Sequence, residues 1–354
     1  MTPRQAYTTE EMRRQARSLA TELGQVVDHL ARTTADGRLG AAARGVRRVV
    51  LTGNGDSYHA ARAAELAFES VGGLTCEPLS AQRFLDYGAA GPGGDGRDTL
   101  VVGISASGGS KAVTRALEEA GRRGSPTVAV TVAEGSAVTR AADVAVIAPT
   151  GPRQASPGIV TYQATLAALL VVAVRLGTEP PAAKPLLDEL RAAADAVAAT
   201  ARASQEPCRE LAEELAAGPG PLVVTGTGPQ AGTAKYAAAK VVEACGLPAF
   251  AQDLEEWWHV ERFALPGDGP LLVLAPPGRS HARAAELVSR AAQIGRRVVA
   301  VARPDDPAVG AAHRVLPTHG ELREEWNPLV DHVFAGLTGA ALADALGRVP
   351  FSTR

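Results

Sequence analysis

The sequence is poor in several things, and each shortage excludes something. Aromatic residues make up 4% of the chain, so Ala, Val and Leu must pack its interior. There are three cysteines, Cys76, Cys208 and Cys245, scattered and odd in number. That pattern excludes a disulfide framework and a zinc-ligand spacing, and it points to a reducing compartment. Neither sign of charge is in excess: the formal net charge is −2, which gives no basis for a nucleic-acid or acidic-membrane partner. The longest apolar stretch, "LAALLVVAV" at 166–174, stops at Arg175 and is too short to span a bilayer. The opening "MTPRQAYTTEEMRRQ" has no apolar core and does not read as a signal peptide. Together these absences predict a cytoplasmic protein that binds neither membrane nor nucleic acid.

What is present is a long, patterned chain. Its 354 residues exceed one compact core and imply two domains. Met12, Ala16, Leu19, Leu23, Val26 and Leu30 recur every three or four residues and predict a helix over 9–34. Strands then alternate with helical patterns: "VVLTG", a helix from Tyr58, "LVVGIS", a helix from Lys111, "TVAVTV", "VAVIAP", and a helix from about Tyr162 to Leu176. Such alternation means parallel strands with crossover helices, an open α/β sheet. "TEPPAAKP" at 178–185 carries three prolines and predicts a break, with an Ala-rich helical connector over about 186–216.

The pattern then repeats at an offset of about 170 residues. "VVLTGNGDSYHAA" answers to "LVVTGTGPQAGTA", "LVVGISASGGSKAV" to "LLVLAPPGRSHARA", and "TVAVTV" to "RVVAVA". One difference matters. The serines of "SASGGS" give way to Pro276, Pro277 and Gly278, with Ser280 retained. If the serine loop holds a ligand, only the first domain does so.

Ser105, Ser107 and Ser110 stand between a strand and a helix, where backbone N–H groups and the helix dipole favour an anion. Gly108 and Gly109 let the backbone close on a guest, and "GNGDSY" sets Gly55 and Ser57 at a neighbouring strand end. A phosphate monoester suits these donors. An ordinary Gly/Ser turn with capping serines is the plainer reading. "TGNGDS" and "TGTGPQAG" also approach a dinucleotide fingerprint, but their glycines are misplaced and no acidic ribose ligand follows.

"GDSYHAARAAELAFESVGGLTCE", "SASGGSKAVTRALEEA" and "GSAVTRAADVAVIAP" resemble the sugar isomerase (SIS) domain. Two copies in tandem resemble the isomerase half of the glutamine:fructose-6-phosphate amidotransferases and their stand-alone aminosugar-phosphate deaminase and isomerase relatives. The resemblance covers roughly residues 45 to 345. It implies two SIS domains, each a parallel sheet flanked by helices in a flavodoxin-like three-layer sandwich. The boundaries expected are an N-terminal helix at 1–45, a first SIS domain at 46–177, a helical linker at 178–217, a second SIS domain at 218–345 and a tail at 346–354. It implies a phosphorylated sugar held by Ser57, Ser105, Ser107 and Ser110, with Thr161 at a further hydroxyl position and Gly55 and Gly108 shaping the loops. The usual family loop reads S-Q-S-G-E-T. Here Ala106 and Gly109 replace its Gln and Glu, so the phosphate seat is kept while contacts to the sugar differ.

In "KYAAAKVVEACGLPAFAQDLEEWWHVERF", Lys240 and Glu243 are three apart and share a helix face, and His259 follows Glu243 by sixteen residues. By themselves, Lys240 and Glu243 read as a solvated pair and His259 as a packed histidine. The resemblance makes these three the catalytic set. Glu243 moves the proton between C2 and C1, His259 serves ring opening, and Lys240 keeps Glu243 ionised and stabilises the oxyanion. Glu255 and Glu256 are secondary candidates. It further implies a homodimer with an active site shared between subunits, and no cofactor or metal.

The chain departs from the family at both ends. No nucleophilic cysteine stands near residue 1 or 2, so no glutaminase is expected and nitrogen needs a separate ammonia donor. The end, "LADALGRVPFSTR", has no lysine for a Schiff base with the keto sugar. The expected function is an aldose–ketose isomerase on a phosphorylated sugar, with deamination or amination of an aminosugar phosphate. A sugar-phosphate sensor without turnover and an enzyme for a non-standard sugar phosphate are the alternatives.

Overall fold

The computed structural model describes residues 7–88, 96–178, 180–218 and 220–352. Helix α1 (Thr9–Thr33) comes first. Then follow β1 (Arg48–Gly53), α2 (Asp56–Ser70), β2 (Thr75–Ser80), β3 (Thr99–Ile104), α3 (Lys111–Arg122), β4 (Thr127–Thr131) and β5 (Val144–Ile147). Helices α4 (Val160–Gly177), α5 (Pro180–Ala203) and α6 (Gln205–Ala217) lead into β6 (Leu222–Thr225), α7 (Pro229–Cys245), β7 (Ala249–Gln252) and α8 (Leu254–His259). The chain continues through β8 (Pro270–Leu274), α9 (His281–Gln293), β9 (Arg297–Ala302), β10 (Arg314–Pro317), α10 (Pro328–Asp331) and α11 (Val333–Ala345).

The strands form two five-stranded sheets, parallel throughout, in the orders β2-β1-β3-β4-β5 and β7-β6-β8-β9-β10. Read from the first strand of each series, the two orders are the same. The chain divides into two compact units. The first sheet lies in Thr21–Gly151 with Val160–Ala192, and the second in Met1–Ala20, Pro152–Ile159 and Ala193–Arg354.

Central strands are apolar along their whole length because helices cover both faces of a parallel sheet. Leu100, Val101, Val102 and Ile104 of β3 are all buried, as is every residue of β4. On α3, Val113, Ala116, Leu117 and Ala120 are buried at helical spacing. Gly103 admits this packing: a Cβ there would lie 2.7 Å from Leu117 Cγ. Helix α4 is apolar around its whole circumference, and 83% of it is buried. It is long and apolar enough to cross a bilayer, but in this fold it is a core element. The three thiols are free and buried, and burial pushes each one's titration upward.

The α/β alternation holds, with two corrections. Residues 178–185 are not a break, because α5 begins at Pro180 and contains Pro185. Prolines in the first turn lack only N–H groups that have no partner in the helix anyway, whereas Pro185 lies inside the helix, which continues past it without one backbone donor. The sequence reading also missed β2, β7 and β10. All three are edge strands, with one neighbour each and no continuous apolar run; β2 even accommodates Pro78.

The second unit holds a buried polar knot. The Gln230 amide donates to Asp331 Oδ2 at 2.9 Å, and the His332 ring stands edge-on to Tyr236, centroids 5.5 Å apart. Burial pushes the Asp331 carboxyl up to about 8 and the His332 imidazole down to about 3. The two act oppositely on stability. Folded Asp331 keeps a proton that the unfolded chain loses above about pH 4, so its contribution falls as pH rises toward 8. Folded His332 refuses a proton that the unfolded chain takes below about 6.5, so its contribution falls as pH drops toward 3. Thermal melts from pH 4 to 9 should therefore show Asp331→Asn gaining relative to wild type as pH rises. A constant difference across that range would refute the assignment.

Candidate functional site

Strand β1 lies between β2 and β3, so the chain leaves it toward one side of the sheet and returns on the other. The loops after β1 and β3 therefore diverge at their carboxyl ends, where ligands settle in open parallel sheets. Ser57 stands in the first of these loops, in the opening turn of α2. A Cβ on Gly53 would lie 2.9 Å from Ser57 Cβ and 3.2 Å from the Ile104 carbonyl oxygen. The bare backbone of Gly53 thus brings the end of β1, Ser57 and the end of β3 together. Gly55 caps α2 with φ 54° and ψ −130°, a conformation that glycine permits.

Ser105, Ser107 and Ser110 occupy the second loop. Ser105 is buried; its N–H donates to Val130 O and its carbonyl accepts from Gly108 N–H, both at 3.0 Å. Ser107 Oγ accepts from Gly109 N–H at 3.4 Å. Ser110 caps α3, its Oγ accepting from Val113 N–H at 3.4 Å. The first N–H groups of α3 have no partner within the helix, and its dipole favours negative charge there. Hydroxyls and N–H groups on two adjoining loops are donors of the kind an anion requires. Thr161 lies in the first turn of α4 in the same unit, and among the described residues no hydrogen bond joins it to the serine loop.

Two residues that the sequence reading passed over shape the serine loop. Thr131 Oγ1 donates to Ala106 O at 3.2 Å and accepts from Ala133 N–H at 3.1 Å. Ser136 fills the space that Gly108 leaves open: a Cβ on Gly108 would sit 2.3 Å from both Cβ and Oγ of Ser136. Gly108 also has φ +67°, a conformation other residues resist. Ser136 Oγ is buried and has no hydrogen-bond partner among the described residues. A lone serine or threonine after a strand gives no signal of such a role in sequence.

The corresponding place in the second unit is filled by its own chain. Gly228 repeats the cap of Gly55 with φ 56° and ψ −131°, and Gly226 lies against Gln230 as Gly53 lies against Ser57. Here, however, Gln230 is tied to buried Asp331. Glu324 Oε1 accepts the Arg279 N–H at 2.9 Å, and Asn327 donates to Pro277 O at 2.7 Å. A carboxylate of the chain itself, that of Glu324, thus occupies the loop of the second unit.

Lys240 and Glu243 lie on α7 in the second unit. The Lys240 side chain is fully buried, its ammonium is ion-paired with the Glu243 carboxylate, and its Nζ lies 5.1 Å from the Tyr236 ring centroid. Glu243 remains partly open to solvent. A buried cation that fixes an accessible carboxylate is a suitable holder for a general base.

His259 is in the same unit but is not joined to that pair. Helix α8, which carries it, is rooted in the apolar core by Leu254 and Trp257 and capped by Asp253, which accepts from Glu255 N–H at 2.9 Å. This turns Glu255, Glu256 and His259 outward. His259 Nε2 is 3.2 Å from Glu255 Oε1, and the Arg283 guanidinium holds the Glu255 carboxyl below its usual range. Arg296 braces the following segment, donating to the carbonyls of Ala264 at 2.6 Å, Pro266 at 2.8 Å and Arg262 at 3.1 Å. No group of three or more His, Cys, Asp or Glu suited to a metal ion occurs among the described residues.

Residues 44–175 match the family model of the SIS domain. This segment is an SIS domain. It contains β1 to β5, Ser57, the serine loop and Thr161. The chain is 28% identical over 275 residues to a glutamine–fructose-6-phosphate aminotransferase (isomerizing) of Aeropyrum pernix, covering 76% of this chain and 42% of that protein. With the enzyme of the same name from Halobacterium salinarum it shares 30% over 173 residues, 48% of this chain and 28% of the other. It thus spans less than half the length of these relatives. Among solved structures, the C-terminal domain of glucosamine-fructose-6-phosphate aminotransferase from Francisella tularensis superposes with a TM-score of 0.82 at 16% identity, over 97% of this chain and 98% of that one. Tagatose-6-phosphate ketose/aldose isomerase from Escherichia coli gives 0.72 at 17% identity, over 96% and 93%. These likenesses establish a common fold around the SIS domain.

Phosphate binding tests the serine loop directly. Millimolar inorganic phosphate should raise the melting temperature of the wild type, and less that of Ser105→Ala. Gly108→Ala forces a Cβ into Ser136 and should abolish the shift. An undiminished shift in both variants would place the anion elsewhere.

Proposed function

We propose that the chain is an aldose–ketose isomerase acting on a phosphorylated sugar, with an aminosugar phosphate that gains or loses ammonia as its substrate class. One observation carries the reading: on α7 a fully buried lysine fixes a solvent-accessible glutamate, at the spacing the sequence resemblance requires. In this proposal Ser57, Ser105, Ser107 and Ser110 hold the phosphate, with Thr161 as a further donor and Gly55 and Gly108 shaping the loops. Residues 218–345 act as a second SIS domain, a reading supported by the repeated strand order and the repeated glycine cap. The names of the relatives, isomerizing aminotransferases and a ketose/aldose isomerase, favour the same class of chemistry.

Glu243 takes the proton from C2 and returns it to C1 through an enediol, or an enolamine when C2 carries nitrogen. C2 is oxidised as C1 is reduced, so no external redox partner is required. When nitrogen is present, water replaces it at C2 and ammonia leaves; the reverse takes up ammonia from a separate donor. Lys240 keeps Glu243 ionised and stabilises the oxyanion. His259 shuttles the proton that opens the ring. Its exposure suits a residue presented to a second copy of the chain, and a homodimer with shared active sites is part of this proposal.

The decisive assay measures ammonia release and ketose phosphate formation from glucosamine 6-phosphate. Glu243→Gln should lower turnover by about 10²- to 10⁴-fold while phosphate still stabilises the variant. Equal turnover in variant and wild type would remove Glu243 from the chemistry. A wild type that is stabilised by sugar phosphates but turns none of them over would be a sensor.

A further inference from the structure

We infer that Glu255, gripped by Arg283, positions His259 and leaves its Nδ1 as the nitrogen offered to a ligand. The inference rests on the reading of His259 as the ring-opening group. Glu255 and His259 are four apart on α8 and share its outer face. The contact is through Nε2, 3.2 Å from Glu255 Oε1.

Glu255 is held from its other side. Arg283, on α9, donates from Nε to Oε2 at 2.7 Å and from Nη2 to Oε1 at 3.0 Å, a two-point grip that fixes the carboxylate plane. Arg283 Nη1 donates to Glu286 at 2.6 Å, and the other oxygen of Glu286 pairs with Arg290 at 2.6 Å. Arg290 in turn lies over the Trp258 ring, 5.4 Å from its centroid. Charges of alternating sign thus run from Arg290 to the imidazole.

An isolated exposed pair would restrain a histidine little. A carboxylate already clamped by a guanidinium fork is different, because the entropy of ordering it is shared by the network. As an ionised acceptor, Glu255 requires the hydrogen on Nε2, and the lone pair is then on Nδ1. The His259 side chain is 63% exposed, so packing alone does little to restrict its rotamers. Proton transfer to a ring oxygen depends on reach and angle, so a fixed ring is worth more to the reaction than a mobile one. Glu255 and Arg283 are positioning residues in this scheme and do not touch substrate.

The test uses the full chain with ¹³C-labelled histidine, the His259 signal being identified by its loss in His259→Asn. Ring relaxation should show His259 as ordered as the backbone in the wild type. It should be mobile in Glu255→Ala and Arg283→Met, and partly restored in Arg283→Lys. A ring equally mobile in wild type and Glu255→Ala overturns the inference. With glucosamine 6-phosphate, Glu255→Ala should lower kcat by about 10- to 100-fold with KM little changed, and should add nothing in the His259→Asn background. A loss that persists in that background also overturns it. An ordered ring with full turnover by His259→Asn would uphold the positioning and sink the catalytic reading of His259.

Discussion

The constraint on which the rest depends is the divergence of two parallel strands. β1 and β3 are neighbours, but the chain leaves them in opposite directions, so their loops cannot cover the sheet edge between them. The space has to be filled by something. In the first unit it is bordered by small residues, Ser57 and the serine loop, with Gly53 and Gly108 letting the backbone approach Ser57 and Ser136. In the second unit the same divergence recurs, and Gln230, Asp331, Asn327 and Glu324 fill it. One topology thus yields a hydroxyl-lined strand end in one copy and a self-satisfied polar plug in the other.

That contrast is one of electrostatics as well as space. Helix N-termini at strand ends present positive potential, and some acceptor must meet it. The second unit supplies its own carboxylate at Arg279 N–H, whereas in the first the serine-loop helix is capped by the neutral hydroxyl of Ser110. Elsewhere the same accounting holds. The buried Lys240 has Glu243 beside it, and the buried Asp331 has the Gln230 amide. Burying an ionisable group without such partners would be far more costly than the fold can bear.

The α/β class, the central strands and the repeat were all legible in the sequence, because buried parallel strands leave unbroken apolar runs that end at glycine. Three of the four edge strands, β2, β7 and β10, were not, since an edge strand needs no such run; β5 was legible because it keeps one, in "VAVIAP". The prolines at 180–185 misled because a helix start tolerates Pro180 and Pro181 and the helix continues past Pro185. The serine loop announced itself by composition. Thr131 and Ser136 did not, because their importance comes from lying beside Gly108, and that adjacency belongs to two different strand–helix connections.

Short-range spacing explains which parts of the site could be read directly. Lys240 and Glu243 share a helix face by periodicity alone, and the N-caps of α3 and α8 follow from a serine and an aspartate before a helix. The sequence by itself therefore determined the long helices, the central strands, the apolar faces and the helical pairings, all set by contacts within a few residues. Tertiary structure alone decided that Glu324 occupies the loop of the second unit and that Ser136 shapes that of the first. It alone placed Arg283 on Glu255 beside His259. Each joins segments brought together by parallel strand crossover, and no local pattern of side chains encodes that proximity.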